Sequence, residues 1–144
     1  MVLTEKDKIE QFKRDLRSYT YHQKKAMEID EKLEELSVKM QGVSSPAFKN
    51  TVLENAGNPY GERKLELLME EGELVKERNK HLTEIQRIDE ALKLIDENQR
   101  KILIDIYIKR RKFDAIALAN YCSNRKLTYD VNTYISYIIT KIKL

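Results

Sequence analysis

Two cation clusters, Lys109-Arg110-Arg111-Lys112 and Arg125-Lys126, are the residues whose type and spacing most directly suggest chemistry. Guanidinium and ammonium groups gathered at the ends of short periodic segments are suited to holding phosphate oxygens, the first by a planar fork and the second as a point charge. From Asn98 onward the chain carries ten basic and three acidic side chains, against seventeen and twenty-one before it. The net charge of +3 therefore conceals a basic C-terminal end and an acidic remainder, the footprint of a protein that meets a polyanion, most often nucleic acid. Each cluster has an ordinary alternative. Four cations at a helix C-terminus complement its dipole, and Arg125-Lys126 would suit any charged turn. Their coincidence with helix boundaries favours nucleic acid.

The segments around these cations predict three short helices. Asp96 and Gln99 are spaced like an N-cap and its N3 partner, opening a helix that turns Ile102, Leu103, Ile106 and Tyr107 inward and ends in the first cluster. A second helix runs from Phe113 to Tyr121, with Ala115, Ala117 and Ala119 permitting close approach of a neighbour. Ser123 to Lys126 reads as a cationic turn, and a third helix covers Thr128 to Lys143. Ile135, Ile138 and Ile139 among tyrosines and threonines also suit a strand, but the spacing of Val131, Ile135, Ile138 and Ile142 is helical. The pattern is that of a helix-turn-helix unit. Arg110, Arg111, Lys112, Arg125 and Lys126 are then expected to hold phosphates. Thr128, Tyr129, Asn132, Thr133 and Ser136, at the N-terminal end of the last helix, are expected to approach base edges in the major groove.

What positions this module is a helical arm. Thr4 and Asp7 form a capping-box pattern, and Ile9, Phe12, Leu16, Tyr19, Ala26, Ile29, Leu33, Leu36 and Met40 recur in steps of three and four, with Gln23 in the one gap. One long helix of about five heptads is predicted. The stretch GVSSPAFKNTVLENAGNPYG, within 41–61, holds three of the four glycines and both prolines and reads as a loop, within which Phe48, Val52 and Leu53 could form a turn. A second seam follows through Leu65, Leu68, Gly72, Val75, Leu82, Ile85, Ile88, Leu92 and Ile95, with Asn79 as its polar gap. The two seams predict an antiparallel, coiled-coil-like hairpin with Met40 opposite Leu65. Gln23 and Asn79 either meet as a buried polar layer or both face solvent. The predicted fold is all-α, with a hairpin arm over 1–96 and a helix-turn-helix module over 97–144. The arm is expected to dimerise or to dock a partner.

Other chemistries find little support. His22 and His81 fall on nearby turns with Glu84 beside them, but a zinc site needs more ligands and a solvated face is the preferred expectation. Cys122 is the only cysteine, which excludes an internal disulfide and fits a reducing cytoplasm. The chain has no phosphate-cradling glycine loop, no HExxH helix and no acid cluster in the basic module for Mg²⁺. No enzymatic activity and no cofactor are therefore expected. No apolar run reaches the ~20 residues of a membrane span, and the N-terminus shows no signal-peptide core.

The run Ile88-Asp89-Glu90-Ala91-Leu92, then Leu94 through Leu103, Tyr107 and Ile116-Ala117, resembles phage late-gene transcriptional activators of the ArpU/RinA kind. Those proteins in turn resemble the promoter-reading fourth region of sigma factors. The layout is similar too: a helical arm, a Ser/Pro loop (here Val43-Ser44-Ser45-Pro46), a second helix and a sigma-like module. The resemblance implies a phage or prophage regulator that binds duplex DNA and recruits host RNA polymerase. Members have a short turn with a serine before the recognition helix, whereas Cys122 to Leu127 reads here as longer and more basic. The competing expectations are a small-terminase-like packaging protein, and a protein-binding module that inhibits a host protein through its charge.

Overall fold

The computed structural model describes residues 3–43 and 59–142. These residues form helices α1 (Glu5–Arg17), α2 (Tyr19–Val43), α3 (Pro59–Leu92), α4 (Glu97–Leu103), a π-helical turn (Ile104–Ile108), α5 (Phe113–Ala119) and α6 (Asn124–Ile142). No strand occurs among the described residues, and the fold is all-α. The strand alternative for the final segment falls with it, since α6 covers that segment as one helix.

Thr4 starts α1 as the sequence predicts. Its Oγ1 accepts from the Asp7 amide at 3.1 Å, and the Asp7 carboxylate accepts from the Thr4 amide at 3.3 Å. The single long helix expected up to Met40 is interrupted at Ser18. There the Ser18 hydroxyl donates back to the Asp15 carbonyl at 2.7 Å, a bond that competes with the helical ladder and bends it. Residues at both ends of the expected loop 41–61 are helical instead, since α2 runs through Val43 and α3 begins at Pro59. Proline suits that first helical position, where no amide hydrogen is needed. Residues 44–58, including Ser44–Pro46, Phe48, Val52 and Leu53, lie outside the described residues.

The chain forms two compact units, Met1–His22 with Glu84–Leu144, and Gln23–Thr83. The expected division at 96/97 is not where the structure divides. The first unit's core joins Phe12 and Leu16 of α1 and Ile88, Ala91, Leu92 and Ile95 to Leu103, Tyr107, Ile116, Ala117, Leu127, Val131, Ile135, Ile138 and Ile139. Helix α1 thus belongs to the cationic module. Tyr19 donates to Asp89 at 2.8 Å and Arg87 pairs with Asp15 at 3.1 Å, tying α1 and the start of α2 to the end of α3.

In the second unit Ala26, Ile29 and Leu36 of α2 are buried, and so is Leu67 of α3. Asp30 pairs with Arg78 at 3.0 Å, which sets the helices antiparallel within a turn of the expected register. The buried stripe on α3 differs from the expected one. Leu65, Leu68 and Leu82 are 58%, 43% and 41% exposed, while Leu67, Leu74, Arg78 and His81 turn inward to varying degrees. Seven-residue steps back from buried Ile88 reach His81, Leu74 and Leu67. The predicted series instead took three consecutive three-residue steps from Ile88 to Asn79, and each rotates the face by about 60°. Gln23 and Asn79 are both exposed, so of the two expectations the solvent-facing one holds, and the polar contact between the helices is instead the surface pair of Asp30 and Arg78.

Candidate nucleic-acid interface

Helix α4 is capped as predicted, with the Asp96 carboxylate accepting from the Gln99 amide at 2.9 Å. It carries Arg100, whose guanidinium donates to the carbonyls of Leu92 at 3.0 Å and Ile95 at 3.1 Å. Arg100 therefore closes the C-terminal end of α3 and is a structural cation. After α4 the chain widens into the π turn, which buries Asp105 and Tyr107.

The first cation cluster forms the connection that follows, and it lies past the helical residues. Arg110 adopts a left-handed backbone (φ 52°) and donates from its guanidinium to the Arg17 carbonyl at the end of α1, at 3.3 Å. Arg111 donates its amide to the Asp105 carbonyl at 2.9 Å and pairs with the Asp105 carboxylate at 3.5 Å. Lys109 lies 4.0 Å from that carboxylate. Lys112, exposed, is the N-cap residue of α5. Of the three alanines expected to pack closely on α5, only Ala117 is buried; Ala115 and Ala119 are exposed.

The α5–α6 turn is short. Asn120 ends α5, Tyr121 takes a left-handed conformation (φ 55°), and the Tyr121 and Cys122 amides return to the carbonyls of Leu118 (3.1 Å) and Ala117 (3.0 Å). This paired closure is a Schellman motif, with tyrosine where glycine is usual. Ser123 then opens α6, its Oγ accepting from the Lys126 amide at 3.1 Å. The long basic turn expected over Cys122 to Leu127 is therefore corrected: α6 begins one turn before Thr128, and Arg125 and Lys126 lie in its first turn.

The structure divides the predicted contact residues on α6. Leu127, Val131, Ile135, Ile138 and Ile139 face the core. On the open side Arg125, Lys126, Thr128, Tyr129 and Thr133 are exposed, Tyr129 at 71%. Lys126 pairs with Asp130 at 3.0 Å, and that hydrogen bond raises the pKa of Lys126. Asn132 and Ser136 are half-buried. The Asn132 Oδ1 is buried without a partner, and the Ser136 hydroxyl donates to the carboxylate of Glu5 on α1. Ser136 is engaged by α1, which the sequence assigns to the arm, and Asn132 is set apart from the open face by its burial.

A pocket of about 390 Å³ sets Arg111, alone of the first cluster, beside the α5–α6 turn, in a lining that includes Lys101, Asp105, Asn98, Asn120 and Tyr121. Lys101 is one of the ten basic residues from Asn98 onward and is not among the expected phosphate contacts. Its place four residues before Asp105 on one helix was the available signal. Among the described residues no group of three or more His, Cys, Asp and Glu side chains could hold a metal ion, and no helix is long and apolar enough to cross a membrane. Comparisons with protein-family models, with curated proteins and with solved structures find no match.

Proposed function

We propose that this chain is a transcription regulator of phage or prophage origin that binds duplex DNA through the unit containing α4, α5 and α6, and that it acts in the cytoplasm as a binding protein rather than an enzyme. The supporting observation is the α5–turn–α6 arrangement, with Ser123 capping α6 and Arg125, Lys126, Thr128, Tyr129 and Thr133 exposed along its N-terminal turns. A short turn ending in a capping serine also agrees with the ArpU/RinA-like pattern. Arg125, Lys126, Lys112 and Arg111 hold phosphates, while the hydroxyls of Thr128, Tyr129 and Thr133 approach base edges. Recruitment of host RNA polymerase follows from the family resemblance.

The test is selection of bound duplexes from a random pool, followed by anisotropy titration across salt concentrations. The log–log slope of affinity against salt is expected near −0.9 per phosphate contacted. Arg125→Ala with Lys126→Ala should weaken all duplexes and flatten that slope by about two phosphates' worth. Binding that is unchanged by the pair, or absent at low salt, overturns the assignment.

A further inference from the structure

The stripe Leu65, Leu68, Gly72, Val75, Asn79 and Leu82 has the spacing of a coiled-coil seam, yet all of it but the half-buried Val75 is exposed. Leu65, Leu68 and Leu82 are exposed, Asn79 is exposed, and a Cβ added at Gly72 would meet nothing within 4 Å. This seam lies about 100° around α3 from the buried stripe through Leu67 and Leu74. A helix in a two-helix hairpin needs one apolar stripe. A helix with two neighbours, as in a four-helix bundle, needs two at about this angle.

We propose that this outer face of α3 pairs with the same face of a second copy, in parallel and in register. The assignment stands apart from DNA binding and would hold if that failed. Three observations select the occupant. With Leu65, Gly72 and Asn79 at the a positions and Leu68, Val75 and Leu82 at d, the side chains flanking the seam include Glu71 at g and Lys76 at e. A g side chain meets the e side chain five residues on in a parallel partner, so Glu71 meets Lys76 of the second copy, twice per dimer. Asn79 is the seam's one amide; in parallel pairing it meets its own counterpart and both amides are satisfied, whereas antiparallel pairing sets it against Leu68. The seam is about 27 Å long, which is enough for three heptads of knobs and holes.

Sedimentation equilibrium of the full chain is expected to give a dimer at micromolar concentration. Leu68→Glu with Leu82→Glu should weaken it at least about tenfold with helix content unchanged, since both side chains are exposed in the single chain. Glu71→Lys and Lys76→Glu chains should each self-associate more weakly than the parent and pair preferentially with one another. In a Cys122→Ser background, Leu82→Cys alone should oxidise to a covalent dimer, because parallel pairing sets residue 82 against itself. A monomeric parent chain, a dimer indifferent to the charge reversals, or a dimer in which Leu82→Cys fails to cross-link with itself would each overturn the proposal.

Discussion

The Ser136 hydroxyl of α6 donates to the Glu5 carboxylate of α1, although the two residues lie at opposite ends of the chain. This places a negative charge along the helix proposed to enter the major groove, where a phosphate or base edge would meet it. Glu5→Gln keeps an acceptor for Ser136 and removes the charge. Duplex affinity at low salt should rise about two- to fivefold, the range of an exposed charge interaction worth up to ~1 kcal/mol, and the gain should shrink as salt rises. Anisotropy titration of parent and variant at two salt concentrations checks both.

The basic count at the C-terminal end mixes two populations of cation, and Arg100 separates them. Its guanidinium is engaged with the Leu92 and Ile95 carbonyls, so Arg100→Ala leaves two part-buried acceptors without a charged donor. The expected loss of stability is about 1–3 kcal/mol by urea denaturation. The salt slope of DNA binding by the folded variant should stay that of the parent. A change in slope with no loss of stability would make Arg100 a phosphate contact instead.

Tyr121 is 97% exposed and left-handed at the end of α5, a conformation in which its Cβ crowds the backbone. Tyr121→Gly removes that strain and gives up almost no burial. It should stabilise the chain by about 1 kcal/mol, with a Tm rise of a few degrees. A calorimetric melt that shows no change or a loss would mean the side chain makes a contact the open turn does not suggest.

The parts of this fold legible in the sequence are those that local physics determines. Thr4 with Asp7 and Asp96 with Gln99 carry their cap geometry in their spacing, and Leu127, Val131, Ile135 and Ile138 carry the buried face of α6. The division into units was not legible, because Phe12 and Leu16 read equally well as arm or as module until the distant Ile135 and Ile138 are placed beside them. The buried seam of α3 was not legible because two stripes of heptad spacing share that helix. The candidate site was legible as a set of cations and hydroxyls. What spacing could not reveal was the competition for them: Arg110 by the Arg17 carbonyl, Arg111 by Asp105, and Ser136 by Glu5.

Tyr19 binds the helical break to the end of α3, and its chemistry makes that joint sensitive to alkali. Burial, then the hydrogen bond to Asp89 and that carboxylate's charge, push the Tyr19 hydroxyl up to about 12 from an ordinary 10.0. A phenol whose folded pKa is raised is held in its neutral form by the fold. Its contribution to stability is complete below its unfolded pKa and is lost as pH rises through the folded value. Stability should therefore fall between about pH 10 and pH 12 as the unfolded chain releases a proton the folded chain retains. Tyr107 and Tyr134 are raised by burial and contribute in the same direction, so the fall should be reduced but not abolished in Tyr19→Phe. Urea midpoints of parent and Tyr19→Phe across this window, with ultraviolet titration of the phenols, measure the difference. Parallel pH profiles for the two proteins would show that the Tyr19–Asp89 contact is not maintained in solution.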